Sequence, residues 1–472
     1  MLAEALVAVP ALLLLVAAGA GLQALLPAPL ERSLAARAGH AFLLGAAWNG
    51  TTSWLAGVVF GAPLAPGLFL ALNTAAILAG IVAVLLRRDA GGLGGYRFRN
   101  REVAWRKLWF LPAIVVVVST SCALLGDAAT EPVSDFDGRM TWGTVAKYLL
   151  AERSILPEVL RDPTSYVIHP RYPPLLPVTQ ATIASLAGAS IESTAIRPLY
   201  ALFLPALFAI LAPAVRRAGG SPGGGLALLL IFASPFPIWA KEGGARGTYS
   251  DLPLACFLGA ALVVLAHPRV GAQAWRGWPA GLLLAAAAGA KNEGTALAPA
   301  LVLVALLVAW RLGGRVWTAR RAPLLRSALV VGSMLALVVV WRSEVPNRND
   351  EAYFEELSPV AVASGLVARS ATVARVAAAK SLDVESWGFL FWLLPLLVAV
   401  GWRGLRGPAI VLAATTIALA LALALAAYAV VPDLSIVAVT WNRFVVQMLV
   451  PIALVVAAAV RGAVTAFRSS RG

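Results

Sequence analysis

The sequence is poor in the residues that most soluble enzymes use. Only two of its 472 residues are cysteine, three are histidine and five are lysine, and charged residues of both signs make up 13%. Cys122 and Cys256 both lie inside apolar runs, which excludes a disulfide framework and a cysteine-built metal or redox centre. With 60% hydrophobic residues and a mean hydropathy of +0.82, the chain carries more apolar surface than a soluble fold of its length can bury, so it belongs in a membrane. A formal charge of +15 would suggest nucleic acid in a soluble chain. In a membrane protein a basic excess reports cytoplasmic anchoring instead, so nucleic acid is not an expected partner. Thirty-three of the 38 basic residues are arginine, which fits a G+C-rich bacterial genome, and the bacterial inner membrane is the expected location. Glu4 stands where a signal peptide would be basic, so the first apolar stretch is expected to be a retained helix.

Apolar windows able to cross about 30 Å of hydrocarbon number thirteen: residues 4–25, 41–60, 66–86, 108–126, 196–215, 225–240, 250–267, 278–290, 294–312, 326–341, 388–402, 408–431 and 441–460. The expected fold is an all-α polytopic membrane protein. The segment from Arg87 to Lys107 holds seven basic residues, which places it in the cytoplasm. Strict alternation then puts the amino terminus outside and the carboxyl terminus inside. Pro174 to Ala189 is also apolar but contains Thr179, Gln180, Thr182 and Ser185. If it crossed, every later basic loop would be expelled, so it is expected to be an interfacial or re-entrant helix. This topology leaves net +20 inside, from 23 Lys/Arg against Glu31, Asp89 and Glu102, and net −5 outside, from 15 bases and 20 acids. The inner side reads as an anchor. The outer side reads as the working face, with large loops at about Asp127 to Ile196 and Arg342 to Gly388.

Asp135-Phe-Asp137 opens the first outer loop, ahead of Arg139 and an amphipathic stretch from Met140 to Leu150. Two carboxylates two apart can hold a divalent cation, or one can act as general base while the other tunes it; an isolated pair more often caps a helix. In His169-Pro-Arg171-Tyr172-Pro-Pro174 the prolines stiffen the chain and fix the directions of His169, Arg171 and Tyr172. The plain alternative is an interfacial turn anchored by Tyr and Arg. Arg197 starts the fifth span, and Lys241-Glu242-Gly-Gly-Ala-Arg246-Gly-Thr-Tyr249-Ser-Asp251 joins the sixth to the seventh. Lys291-Asn-Glu293-Gly294 interrupts an apolar run from Pro279 to Val308 and must be the outer turn between two helices. Lys291 is conspicuous in a chain this sparing of lysine; an ion pair with Glu293 is the structural alternative to a functional role. Trp441-Asn-Arg443 opens the last span. Asn49-Gly-Thr51 has the form of a glycosylation sequon but falls within a span, and the glycines from Gly91 to Gly95 lack the ending of a phosphate loop. All the ionisable candidates fall on the outer side. Such a set suits a reaction between an anionic lipid carrier and a hydroxyl or amino acceptor.

In motif order and topology the sequence resembles the GT-C superfamily of integral-membrane glycosyltransferases, and within it the bacterial relatives of protein O-mannosyltransferase and lipid A aminoarabinose transferase (glycosyltransferase family 39-like). The resemblance rests on Asp135-Phe-Asp137, His169-Pro-Arg-Tyr-Pro-Pro174, Tyr249-Ser-Asp251-Leu-Pro and Ala290-Lys-Asn-Glu-Gly294, and covers about residues 110 to 312. The family has an acidic motif in its first outer loop, interfacial helices after it, an outer-facing Asp at the start of a later span and a Lys-bearing turn. Two features depart from it: three spans precede the helix leading into the acidic loop, and the chain ends in a basic tail, Arg461 to Arg471, where some relatives carry a soluble domain.

The resemblance implies transfer of a sugar from a polyprenyl-phosphate-linked donor to an envelope lipid, glycan or protein at the outer membrane surface, by a single inverting displacement. Asp137 is expected to be the general base, with Asp135 orienting it or sharing a divalent cation. Lys291, Arg197, Arg246, Arg443 and His169 are expected to neutralise the departing lipid phosphate. Arg139, Arg171, Tyr172, Glu242, Tyr249, Asp251 and Glu293 are expected to position these cations or the sugar. Residues 1–107 would then be three additional helices with a cytoplasmic loop, 108–341 the catalytic membrane core, 342–388 an outer, partly helical cover, and 389–472 the carboxyl-terminal helices and tail. A transporter or flippase of lipid-linked saccharides is the competing class. It requires ionisable residues near the bilayer midplane and an internal repeat, neither of which is evident. A catalytically silent scaffold relative differs only in activity.

Overall fold

The computed structural model describes residues 2–27, 29–31, 33–89, 108–165, 167–267, 277–346, 358–431 and 433–469. Among them every regular element is helical and none is a strand. The amino-terminal part holds α1 (Leu2–Val7), α2 (Val9–Ala24), α3 (Leu34–Phe60), α4 (Pro66–Asp89) and α5 (Leu111–Thr130). A π-helical turn, Gly138–Gly143, then leads into α6 (Thr144–Glu152), α7 (Glu158–Arg161), α8 (Leu175–Ala187), α9 (Arg197–Ala201), α10 (Phe203–Phe232) and α11 (Pro235–Trp239). Next come α12 (Asp251–Ala266), α13 (Gly277–Ala290), α14 (Asn292–Leu312), α15 (Gly314–Glu344), α16 (Pro359–Ser381) and α17 (Val384–Trp387). The chain closes with α18 (Leu390–Gly401), a 3-10 turn (Trp402–Arg406), α19 (Pro408–Val430), α20 (Ser435–Gln447) and α21 (Leu449–Ser469). Nine helical segments among the described residues are long and apolar enough to cross a membrane: Leu2–Ala24, Pro66–Arg87, Leu108–Thr130, Arg197–Phe232, Asn292–Leu312, Val316–Glu344, Pro359–Ser381, Pro408–Val430 and Leu449–Ser469. The chain is therefore an all-α protein with the helices of a multi-pass membrane protein. The basic segment used to orient the topology lies almost wholly outside the described residues.

Local signals set the helix ends. Proline near the first turn starts α5, α9, α16 and α19, where its missing N–H costs nothing. Ser358 caps α16 by accepting from the Ala361 N–H. Asp383 does the same for α17 through Glu385. The long run called α10 is two legs. Gly220, at φ +68° and ψ −170°, breaks it, and a Cβ on Gly224 would lie 3.1 Å from the Arg216 backbone, so the chain doubles back there. Separate spans are expected at 196–215 and 225–240; the first leg overlaps the former, and the second ends at Phe232, before α11.

Small residues let backbones touch where lipid supplies no driving force for packing. A Cβ on Gly19 would lie 1.8 Å from the Ala41 carbonyl, and one on Gly45 equally close to that of Leu15, so α2 and α3 cross at glycine. Next to that crossing is a buried polar network. Asn73 donates to Asn49 at 2.8 Å and Asn49 donates to Thr182 at 2.9 Å, tying α4, α3 and α8 together. The sequon asparagine is thus an internal strut. From Leu175 to Ala184 every residue of α8 is buried, and Gln180 donates to the Tyr200 hydroxyl at 2.7 Å. An interfacial or re-entrant helix is expected there; α8, of 13 residues, is enclosed by protein over these ten positions.

Residues 342–388 contain a full-length helix, α16. Gly365 packs on Ala429, the Arg369 guanidinium bonds the Val431 carbonyl, and Trp441 donates to Ser381. The first half of α16 thus meets the carboxyl end of α19, and its last residue meets the middle of α20.

Candidate functional site

One cavity of about 800 Å³ opens where α14, α19 and α20 meet the turn after α7. Its polar wall carries Asp137, His169, Arg171, Tyr172, Asp251, Lys291, Asn292, Glu293, Arg342, Arg443 and Gln447. Its apolar wall comes from α19 and α20, with Leu423, Ala424, Ala427, Tyr428, Val431, Ile436 and Phe444.

The polar wall is an alternating chain of charges. Asp251, the first residue of α12, is fully buried. Its Oδ1 accepts from Lys291 Nζ at 2.6 Å and Gln447 Nε2 at 3.0 Å, and its Oδ2 accepts from Arg443 Nε at 3.0 Å. Lys291 reaches Glu293 at 2.8 Å on its other side, and Arg443 reaches Asp137 Oδ2 at 3.1 Å. Lys291 occupies the break between α13 and α14, with extended backbone, which points its side chain across to the start of α12. Arg443 also lies 4.6 Å over the Tyr249 ring, a cation–π contact that holds the guanidinium in place. The Tyr249 hydroxyl accepts from the Asp137 N–H at 3.3 Å, and burial pushes its phenol up, so it stays protonated. Two carboxylates face the opening, Asp137 and Glu293, each partly exposed and each bound to one cation.

The proline-rich segment forms the rim. His169 has φ +50°, the left-handed region that a non-glycine residue adopts at a cost of about 1 kcal/mol or more. That turn, closed by the Tyr172 N–H on the His169 carbonyl at 3.1 Å, stacks the two rings 4.8 Å apart. Trp142, fully buried, backs the stack at 5.2 Å from Tyr172. Arg171 donates to the Arg342 carbonyl at 3.3 Å, and Arg342 donates to Asn292 at 2.7 Å.

Eight of the expected residues thus line one cavity, and Tyr249 contacts two of them. The other five lie elsewhere. Arg197 is buried and grips Asp127 at 2.8 Å, Glu131 at 3.4 Å and the carbonyl of Arg246 at 2.7 Å. Arg246 binds the same two acids, at 3.1 and 3.2 Å. This second cluster ties α5 to α9 and to the turn before α12. Asp127 and Glu131 are one helical turn apart, so both project from the same face. Arg139 pairs with Glu192 at 3.7 Å; Lys147 binds that carboxylate more closely and draws it below the usual range. Glu242 is exposed and does not line the cavity. Asp135 is buried under Thr248, which donates to it from its N–H at 3.2 Å and its hydroxyl at 3.0 Å. Burial pushes the Asp135 carboxyl up, against the pull of those bonds. Gly138 is needed there: a Cβ would lie 1.9 Å from Thr248 Oγ1 and 2.0 Å from Asp135 Oδ2.

The two acids of the Asp-x-Asp motif are therefore engaged separately. Asp135 is spent on Thr248 and Asp137 on Arg443, and among the described residues no three His, Cys, Asp or Glu side chains gather as metal ligands. This donor set does not fit a shared divalent cation. Arg342, Asn292, Tyr428 and Gln447 belong to the cavity although the sequence did not single them out as site residues. Of these, Arg342 carries a legible signal, a charge at the end of an apolar helix. Compared with known proteins, the chain matches no family model, no curated protein and no solved structure.

Proposed function

We propose that the protein is a membrane glycosyltransferase of GT-C type that takes its sugar from a polyprenyl-phosphate carrier. The observation that carries this reading is the cavity itself, where an apolar wall faces a cluster of cations and a partly exposed carboxylate. An isoprenoid chain suits the wall of α19 and α20. Its phosphate suits Lys291, Arg443, Arg171 and Arg342. At about 800 Å³ the space is of the size that small-molecule sites occupy.

In this mechanism Asp137 is the general base. Its Oδ2 is held by Arg443, which aims the carboxylate, and Oδ1 is left to receive a proton. The acceptor's hydroxyl or amine gives that proton to Asp137 as its heteroatom bonds to the anomeric carbon. The bond from that carbon to the phosphate oxygen breaks, the electron pair leaves with the lipid phosphate, and the configuration inverts. The stacked His169 and Tyr172 rings offer a flat face for a sugar at the rim. Arg197, Arg246, Asp135, Arg139 and Glu242 have no direct part in this scheme.

The proposed topology has thirteen crossings. It takes the nine long apolar segments without α16, counts the two legs of α10 separately, and adds α3, α12, α13 and α18. The cavity then opens on the outer face of a bacterial inner membrane, with the arginine-rich ends inside. The test is mass spectrometry of the host envelope with and without the protein. One glycosyl increment should disappear on deletion, return with the wild-type chain and stay absent with Asp137→Asn. An unchanged envelope glycan profile, or full restoration by Asp137→Asn, would overturn the reading.

A further inference from the structure

A second cleft lies between the same two helices that wall the cavity, at their opposite end. It encloses about 390 Å³ and is lined by Val304, Leu307, Val308 and Leu312 of α14 and by Pro408, Val411 and Thr415 of α19. Arg311, in the last turn of α14, and Arg406, in the turn before α19, complete it. Glu293 and Arg311 are 18 residues apart on α14, so the charged ends of the two openings are about 27 Å apart along it, roughly one hydrocarbon thickness.

The cleft is apolar with a cationic end. Arg406 is held 4.7 Å over the Trp402 ring, which fixes its guanidinium beside the cleft. Neither arginine forms an ion pair with a carboxylate among the described residues. The sequence explains why: it carries no Asp or Glu from Gly294 through Ser343, or from Ser386 through Pro432. The elements that build the cleft cannot supply its counter-ion. Leu307 and Leu312 stay about half exposed, so the groove opens toward the surroundings of the helices.

We propose that this cleft binds one anionic glycerophospholipid of the bilayer, its phosphate between Arg311 and Arg406 and one acyl chain in the groove between α14 and α19. Guanidinium groups match phosphate in charge and in hydrogen-bonding geometry, and basic pockets between membrane helices select anionic headgroups. The inference does not depend on what the cavity catalyses. Because α14 and α19 also wall the cavity, the bound lipid would brace the far end of that helix pair.

Native mass spectrometry of the full chain in detergent tests the proposal, with phosphatidylglycerol and phosphatidylcholine of identical acyl chains as probes. One phosphatidylglycerol should be retained under conditions that strip phosphatidylcholine. Arg311→Gln with Arg406→Gln should weaken its retention roughly 30-fold, about fivefold for each charge. Val411→Trp, which fills the groove and leaves both charges, should also displace the lipid, and it locates the site should the arginine variant fail to fold. Equal retention of the two lipids by the wild-type chain overturns the proposal. Undiminished phosphatidylglycerol retention by a folded arginine variant or by Val411→Trp does so as well.

Discussion

Replacing Lys291 with Met keeps the length and apolar stem of the side chain and removes only the ammonium. Two carboxylates lose a partner, and they do so unequally. Glu293 is partly exposed and can turn to water, so its share stays below about 1 kcal/mol. Asp251 is fully buried, but Gln447 still holds its Oδ1 and Arg443 its Oδ2, both at 3.0 Å. The variant therefore loses one charge-assisted hydrogen bond, about 2 kcal/mol, and escapes the 3–5 kcal/mol of an orphaned buried charge. In a chain of this length that corresponds to a fall of about 2–4 °C in melting temperature, measured by tryptophan fluorescence in detergent. Adding Asp251→Asn should recover about 1–3 kcal/mol relative to the sum of the single changes, because the two groups are in direct contact. Binding of a lipid-linked donor should fall with Lys291→Met and stay low in the double variant, since neither supplies a cation for the phosphate. If the double variant regains both stability and transfer, Lys291 serves Asp251 alone, and its role toward phosphate is refuted.

Asp137→Asn should lower transfer by about 10²-fold or more with donor binding retained, whereas Asp135→Asn should act mainly on stability; larger loss of transfer from Asp135→Asn would reverse the roles given to the pair. The raised Asp135 carboxyl has a further consequence. Ionised and buried, it costs stability above its folded-state pKa, and that cost fades as pH falls through the raised value toward the ordinary carboxylate range. The melting temperature of the wild type minus that of Asp135→Asn should accordingly rise on acidification, and a flat difference would contradict the assignment. Arg197→Met should destabilise by about 2–3 kcal/mol, the loss of charge-assisted hydrogen bonds to Asp127 and Glu131, because Arg246 still holds both acids; donor affinity per folded molecule should not change, and a drop in it would return Arg197 to the site. For topology, a chain carrying Cys122→Ala and Thr164→Cys should react with an impermeant thiol reagent in intact cells, while the same background with Ser469→Cys should react only after permeabilisation. The opposite pattern would invert the chain.

Much of this arrangement was legible in the sequence because membrane helices announce themselves by length and composition. The less regular parts show where that legibility stops. Gly220 hides a hairpin inside one helical run, yet the apolar windows on either side already separated the two legs. α8 is expected to be interfacial or re-entrant from the parity of the basic loops; its Thr179 and Thr182 hydroxyls and the Gln180 N–H find partners inside the protein, which one sequence cannot reveal. The charges at helix ends presented one kind of signal with two outcomes. Arg443 and Lys291 meet at the cavity through Asp251, while Arg197 and Arg246 are taken up by Asp127 and Glu131. The i, i+4 spacing of those two acids was visible and marks a single carboxylate face able to absorb both arginines. Asp135 and Asp137 face different partners because the π-helical turn beginning at Gly138 presses the chain onto Thr248, and no spacing rule foretells that turn.

The crowding of α3 against α8 changes what a distant lesion would look like. Leu175, the first residue of α8, fits against Gly50 of α3 and Gly289 of α13, where added Cβ atoms would come within 2.7 and 3.0 Å of it. The preceding residues are the turn that sets His169 and Tyr172 at the rim. A Gly50→Val change would push on Leu175 and tilt that rim, so a substitution within the first sixty residues should present as an acceptor or donor affinity defect with the helices intact. The amino-terminal helices are in this sense the footing of the site, and a chain trimmed to residue 108 would lose the aim of its rim before it lost any group that reacts.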